Sequence, residues 1–194
     1  MSEVLNAKVS GGKAHGVSRR RVIAGVAWTV PVIATAIAAP AAAASGLSTT
    51  AALVGAGSAI TFTSSTATGS GTNHTGTGPT GFQIVNSGAA FTGAITGTIN
   101  IKPTGTVTAG VGVQSITSAT LTSPSYTAAH DFNATFTYAG GLTAGQTLNF
   151  PVSFQYERVT PAPSKVTYSY TLTITLRLPD GTDRILTGTL TVAY

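Results

Sequence analysis

The sequence contains no cysteine, which excludes disulfide bonds and thiolate metal sites. Charged residues are also scarce, at 8% of the chain, and only five residues are acidic. Catalytic and metal sites are usually built from such side chains, so the chain has few residues that could form one. Two histidines, His74 and His130, follow the first 44 residues, and neither belongs to a motif with zinc-binding spacing. We therefore expect no cofactor, no metal site and no catalytic site.

Positive charge is concentrated at the amino terminus. Five of the ten basic residues precede residue 22, where Glu3 is the only acid, so this segment has a net charge of +4. The rest of the chain has five basic and four acidic residues, a net charge of +1. The overall charge of +5 therefore reflects a leader and does not indicate a nucleic-acid-binding surface.

Residues 1–44 have the layout of a secretory signal peptide. A polar start that predicts no fixed structure ends in three arginines, and an uncharged apolar segment, residues 22–39, follows. Ala42 and Ala44 are the small residues that such a peptide carries at the −3 and −1 positions, here before Ser45. We predict cleavage before Ser45, so that the remaining 150 residues form the exported domain.

The basic run resembles a twin-arginine signal. Arg19 and Arg20 are followed after one residue by the apolar pair Val22 and Ile23. Ala24 stands where such signals usually carry lysine, so the general secretory route stays open as an alternative. The alanine- and proline-containing middle resembles leaders of secreted actinobacterial proteins. This resemblance implies the export machinery as a partner and an extracellular or cell-surface location.

An uncleaved membrane anchor is the alternative to a cleaved leader. The apolar segment has 18 uncharged residues, which is just enough for a helix to span a bilayer. Its alanine, glycine, threonine and proline residues make it only weakly hydrophobic, and a cleavage site follows it. We therefore predict that the protein contacts the membrane only transiently, through its leader.

Residues 45–194 have the composition of a β-protein. Thirty-three of them are threonine, and all seven phenylalanines and all six tyrosines lie here. Threonine and aromatic side chains favour strands over helices. A domain of this length can bury about two-thirds of its unfolded surface, so its core does not need disulfide bonds.

The carboxyl terminus predicts a long β-hairpin. Apolar and mostly hydroxyl-bearing side chains alternate over residues 166–178 and again over 185–194. Between these segments, Pro179 and Gly181 suit a three-residue loop made of a type I turn and a left-handed residue. The predicted pairs are Leu178–Thr182, Arg177–Asp183, Ile174–Leu186, Leu172–Gly188, Tyr170–Leu190, Tyr168–Val192 and Val166–Tyr194.

Shorter alternating segments predict further strands before the hairpin. They are residues 58–63, a segment around Phe82 and Ile84, and residues 91–101, 111–122, 132–138 and 148–156. A change of phase within 111–122 predicts a bulge, and Pro151 predicts an edge strand or another bulge. The Ser-, Thr- and Gly-rich residues 64–81 predict a loop.

About eight strands and no helix after the leader favour an antiparallel β-sandwich, because each strand has one apolar and one polar face. This architecture resembles bacterial immunoglobulin-like surface modules. The resemblance concerns architecture alone, since residues 45–194 lack the core cysteines and tryptophan of antibody domains.

These features predict an exported, non-catalytic β-sandwich protein with a structural, adhesive or interaction role outside the cell or at its surface. Its candidate partners, besides the export machinery, are a cell-wall glycan and another surface protein. A carbohydrate-binding module is the main alternative, and its candidate contacts are Tyr126, Tyr156 and Tyr194, which the strand pattern does not commit to the core.

Two further alternatives are a secreted hydrolase and an ice-binding surface. A hydrolase would need a pocket that joins His130 to Glu157 or Asp183, since the adjacent His130 and Asp131 would point to opposite faces of a strand. The threonines of the hairpin resemble the flat arrays of ice-binding proteins. The sequence has no regular repeat that would keep such an array flat, and sheets normally twist.

Overall fold

The computed structural model describes residues 48–65 and 71–194. The predicted signal peptide with Arg19, Arg20, Ala42 and Ala44, and the predicted cleavage site at Ser45, lie outside the described residues. Contacts between Cα atoms delimit a compact unit at residues 47–194. A search of the described ranges finds no helix with the length and apolar character needed to cross a membrane.

The described residues form eleven β-strands and no helix. In chain order the strands are β1 (Thr49–Val54), β2 (Ser58–Ser64), β3 (His74–Gly78), β4 (Gly81–Asn86), β5 (Ile95–Pro103), β6 (Val111–Ile116), β7 (Thr120–Tyr126), β8 (Phe132–Tyr138), β9 (Thr147–Tyr156), β10 (Thr167–Arg177) and β11 (Asp183–Ala193). Buried and more exposed side chains alternate along strands such as β8 and β10. The all-β prediction is therefore confirmed.

All eleven strands belong to one mixed sheet. Their order is β1-β4-β9-β2-β3-β11-β10-β5-β8-β7, and β6 pairs with β9 beside this path. The pairs are antiparallel except for β2 and β9, which run parallel with Phe62 opposite Phe154. β9 changes partner along its length, since β4 pairs with it up to Pro151 and β6 pairs with it from Val152 onward.

The sheet differs from the predicted eight-stranded antiparallel sandwich in strand number and in its parallel pair. β1 and β3 consist largely of alanine, threonine and glycine, so they carry little of the alternation that predicts strands. β3 lies inside the predicted loop 64–81 and is held as a strand by its partners β2 and β11. Partners distant in the chain therefore override a local preference for a loop.

The predicted strand 111–122 is in fact two strands, β6 and β7. The tight turn that joins them places Ser118 at φ +69°. The predicted bulge is confirmed, because the pairing of β6 with β9 shifts between Val113 and Ser115. Pro151, for which an edge strand or a bulge is predicted, pairs with Gly81 of β4 at the point where the partner of β9 changes from β4 to β6, and β9 as a whole lies inside the sheet.

The carboxyl-terminal hairpin confirms the predicted register along its whole length. Gly181 has φ +82°, in the left-handed region, and its N–H donates to Leu178 O at 2.9 Å. Leu178 N–H donates to Thr182 O at 2.9 Å, which closes the three-residue loop. At the far end of the hairpin, Tyr194 N–H donates to Val166 O at 2.9 Å.

The core lies between inner faces of the curled sheet. Phe82 of β4 stacks on Phe150 of β9 at 4.7 Å between ring centroids and also contacts Phe136 of β8 at 5.6 Å. Because β4 and β8 are distant in the strand order, the sheet must curl to bring them face to face. Gly97 of β5 permits this packing, since a Cβ there would lie 2.5 Å from the Phe136 ring. Burial of each such ring contributes about 1.5–3 kcal/mol.

Candidate functional site

Most aromatic and ionisable side chains meet at one end of the sheet, which we call the tyrosine-rich end. β7, β9 and β11 end there, and β3, β8 and β10 begin there. Five of the six tyrosines and the two described histidines lie here, with Glu157 and Arg158 among the charged residues: Tyr126, Tyr156, Tyr168, Tyr170, Tyr194, His74 and His130. The pairing of distant strands brings them together, so the sequence pattern does not predict the group.

His74 lies between two tyrosine rings. Its imidazole is 4.6 Å from the Tyr156 ring, in an edge-on arrangement, and 4.6 Å from the Tyr194 ring. Tyr168 packs against Tyr194 at 5.6 Å, and its hydroxyl lies 3.0 Å from Thr108 Oγ1. Aromatic pairs of this kind contribute about 0.5–1.5 kcal/mol beyond the burial of their surface. The ring cluster therefore holds β3, β9, β10 and β11 together at this end.

Glu157, the residue after β9, connects three segments of the chain. Its Oε2 accepts a hydrogen bond from Gly110 N–H at 2.8 Å and lies 2.6 Å from His130 Nδ1. Gly110 precedes β6, and His130 is in the turn before β8 with φ +63°. The two partners are 47 and 27 residues away from Glu157 in the sequence. One carboxylate oxygen thus joins two loops to the end of β9.

Three tyrosine hydroxyls at this end are shielded from water. Tyr170 Oη donates to Ala109 O at 2.5 Å, whereas Tyr126 Oη and Tyr194 Oη have no hydrogen-bond partner among the described residues. Burial raises the pKa of all three phenols. The nearby Gln155 opposes this rise in the pKa of Tyr126, although none of its atoms reaches hydrogen-bonding geometry with the hydroxyl. The three phenols are therefore neutral at pH 7; all three rings pack within this end, and Tyr170 also holds the Ala109 carbonyl by its hydrogen bond.

A cavity of about 330 Å³ opens beside the ring cluster. His74, Tyr156 and Tyr194 line one part of it, and residues of the 157–163 loop line another. Within that loop, Arg158 is exposed and Glu157 is half-buried. Of the residues that a hydrolase pocket was expected to join, Glu157 lines this cavity, and His130 and Asp183 do not.

The arrangement around His130 resembles part of a catalytic triad, because a carboxylate lies against the ring nitrogen Nδ1. The structure brings His130 to Glu157 and leaves Asp183 at the opposite end of the sheet, 3.0 Å from Arg177. Asp131 belongs to a turn, in which its N–H donates to Thr127 Oγ1 at 3.1 Å. In the part of the chain that the structure describes, no three His, Cys, Asp or Glu side chains group so as to hold a metal ion.

The three tyrosines considered for a sugar-binding platform do not form one. Tyr156 is only 7% exposed, and Tyr126 and Tyr194 are half-buried. The rings of Tyr156 and Tyr194 are nearly perpendicular, at 89°, and Tyr126 packs edge-on against Phe132. Tyr156 belongs to the core, and Tyr126 and Tyr194 pack against it, which the strand pattern did not show.

The outer face of five adjacent strands is a second candidate region, which we call the threonine face. Outward-facing residues of β11, β10, β5, β8 and β7 lie opposite one another in rows across the sheet. Three successive rows are Asp183, Arg177, Thr96, Thr137 and Thr120; Ile185, Thr175, Thr98, Thr135 and Thr122; and Thr187, Thr173, Asn100, Asn133 and Ser125. The sequence shows threonines in alternation, but only the strand order aligns them.

Two shallow concavities of about 410 and 460 Å³ cross the threonine face. They share Thr98 and Thr135, so we treat them as one feature, the threonine groove. Some of its side chains pair across strands: Asn100 Nδ2 donates to Asn133 Oδ1 at 2.6 Å, and the hydroxyls of Thr122 and Thr135 are 2.6 Å apart. The groove therefore presents hydroxyl and amide groups to solvent.

Comparison with known proteins assigns no family to this arrangement. No protein-family model, curated protein or solved structure matches the chain. The function is therefore inferred from the leader, the tyrosine-rich end and the threonine face.

Proposed function

We propose that this protein is an exported, non-catalytic extracellular or cell-surface β-protein with a structural, adhesive or interaction role. Its partners are the export machinery during secretion and a cell-wall glycan or another surface protein afterwards. We also propose that its curled sheet serves as an immunoglobulin-like sandwich does, as a stable scaffold that presents a polar surface.

The main observation behind the proposal is the set of contacts made by the Glu157 carboxylate. This acid lines the cavity at the tyrosine-rich end, yet its Oε2 is engaged by Gly110 N–H and His130 Nδ1. In a catalytic triad the carboxylate orients a histidine that takes a proton from a nucleophile, but no hydroxyl of the described residues is hydrogen-bonded to the His130 ring. The contacts of Glu157 support a role in holding the loops of Gly110 and His130 at the end of β9, which suits a scaffold better than a hydrolase.

The leader supports the location. Arg19 and Arg20 precede an apolar segment, and Ala42 and Ala44 precede the expected cleavage before Ser45. Sequencing the amino terminus of protein from the culture medium tests this directly, and we expect the mature chain to start at Ser45. A secreted chain that still starts at Met1 would contradict the cleavage.

The export route can be tested with the double variant Arg19→Lys, Arg20→Lys. We expect it to remain inside the cell, because the paired arginines are the feature that resembles a twin-arginine signal. The matched control is Lys8→Arg, Lys13→Arg, which keeps the charge and lies outside that feature. Unchanged secretion of the double-lysine variant would assign the protein to the general secretory route.

The role is tested by fractionating the producing cells and incubating the purified mature protein with isolated cell walls. We expect the protein to cosediment with the walls or with a protein bound to them. Protein that stays free in the medium, binds neither and turns over a substrate would refute the proposal.

A further inference from the structure

We propose that the threonine groove is a binding site for a neutral polysaccharide chain. The inference rests on the proposed function, since it names the ligand class and the surface through which an interaction protein of this kind would act. The occupant is a polyhydroxylated, uncharged chain lying across β10, β5, β8 and β7.

The first argument is the hydrogen-bonding capacity of the groove. Thr96, Thr98 and Thr175 line it, and their hydroxyls make no hydrogen bond within the described part of the chain. Each threonine hydroxyl can donate one hydrogen bond and accept others. A sugar hydroxyl has the same dual capacity, so either partner can act as the donor along the groove.

The second argument is charge. The charged groups that line the groove are Arg177 and Asp183, which lie at one end and bind each other at 3.0 Å. The other lining side chains that reach solvent are uncharged threonines, serine and asparagines, as at Thr98, Asn100 and Asn133, and the threonines expose methyl groups beside the hydroxyls and amides. An anionic chain would find no unpaired cation in the groove, whereas a neutral chain needs none.

The third argument is shape. The groove is lined by five strands, from Asp183 of β11 to Ser123 of β7, or four strand spacings of about 4.8 Å, which makes it about 19 Å long along the rows. Its concave form suits a chain that lies in it. A flat ice crystal would need a regular array of hydroxyls, and here the rows are interrupted by Ile185, Asn100 and Asn133. Geometry therefore favours the polysaccharide over the ice-binding alternative.

The test is affinity electrophoresis of the mature protein in native gels that contain dextran, mannan or β-glucan, with alginate as the acidic polysaccharide. We expect at least one neutral polysaccharide to retard the protein and alginate to have no effect. Loss of both central hydroxyls in Thr98→Val, Thr175→Val should weaken the retardation at least about tenfold. Valine keeps the shape and the strand preference of threonine, so the fold should be retained.

The matched control is Thr187→Val, Thr189→Val, which removes two exposed hydroxyls of β11 that lie outside the groove. We expect it to migrate like the unmodified protein, and denaturation midpoints of both double variants should agree with that of the unmodified protein. Equal loss of retardation in both variants would overturn the assignment of the site.

Other occupants give different results. Migration unchanged by all three neutral polysaccharides overturns the proposal, and so does retardation by alginate alone. Thermal hysteresis in ice that Thr98→Val, Thr175→Val abolishes, without retardation in gels, would assign the face to ice. A dimer in solution that the same variant dissociates would assign it to a second copy of the chain. Secretion and cell-wall binding are measured separately, so the proposed function can survive any of these outcomes.

Discussion

The two ends of the sheet each carry a contact between a basic side chain and a carboxylate, and the two pairs have different surroundings. At the tyrosine-rich end, His130 Nδ1 and Glu157 Oε2 are 2.6 Å apart, with side chains 25% and 19% exposed. At the hairpin tip, Arg177 Nη1 and Asp183 Oδ1 are 3.0 Å apart, with side chains 58% and 47% exposed. Solvent screens the contact between Arg177 and Asp183 much more than the contact between His130 and Glu157. The two contacts therefore contribute differently to stability although their distances are similar.

The pairs also differ in what they connect. Arg177 and Asp183 are opposite one another in a hairpin that its own turn already closes. Glu157 joins Gly110 and His130, which belong to loops that the local sequence does not bring together. The hairpin would therefore form without the contact between Arg177 and Asp183. The contacts of Glu157, in contrast, help to fix the positions of the two loops.

Loss of Glu157 should have the largest effect on stability. Glu157→Ala removes the acceptor of the buried Gly110 N–H and the partner of His130, and we expect the free energy of unfolding to fall by about 2–3 kcal/mol. The measurement is chemical denaturation at pH 7. The matched control at the other end is Asp183→Ala, for which we expect a change below about 1 kcal/mol. Equal losses for both variants would show that the two ends do not differ in this way.

A substitution in the hairpin turn should have an intermediate effect. Gly181 has φ +82°, where a β-branched residue is strained, so Gly181→Val should lower the free energy of unfolding by at least about 1 kcal/mol. The control is Thr173→Ser on the outer face of β10, which should change it by less than about 0.5 kcal/mol. If denaturation midpoints of the two variants coincide, turn geometry does not stabilise this end.

Tyr126→Phe should have the smallest effect on stability at neutral pH. In alkali it should change how stability depends on pH. Burial raises the pKa of Tyr126, Tyr170 and Tyr194 in the folded state above the value of about 10 in the unfolded chain. The folded state then holds its phenolic protons longer, so its stability is complete below about pH 10 and falls as the pH rises beyond that value. Removing one buried phenol should make this fall shallower.

Thermal denaturation followed between pH 7 and pH 11 measures the effect. At pH 7 we expect little change for Tyr126→Phe, because the hydroxyl it removes has no hydrogen-bond partner among the described residues. If the melting temperatures of the variant and the unmodified protein fall in parallel above pH 10, Tyr126 is not responsible for the loss of stability in alkali.

The hairpin end was predictable in detail because its information is local. Alternation over residues 166–178 and 185–194 defines two faces, and Pro179 and Gly181 define the turn between them. Asp180 adds to the turn by accepting from Thr182 N–H at 2.9 Å, and this hydrogen bond lowers the pKa of its carboxyl. All of these interactions lie within a few residues of one another, so a short sequence window contains them.

The tyrosine-rich end was not predictable in the same way. His74 lies in a segment whose composition predicts a loop, and β3 exists because β2 and β11 pair with it. The hydroxyls of Thr77 and Thr191, 2.8 Å apart, are separated by 114 residues in the chain. Tyr156 and Tyr194 were candidates for exposure because nothing in their own strands shows that a third ring, His74, covers them.

The sequence by itself determined the all-β class and the hairpin with its register, because side-chain alternation and turn chemistry act between neighbouring residues. Only the tertiary structure decided which strands stand side by side, and this order places Glu157 against His130 and aligns the threonines of β10, β5, β8 and β7. Strand order depends on how apolar faces pack across the whole sheet, and many orders satisfy the same alternation. The candidate sites follow from that order, so they became visible only once the distant strands were paired.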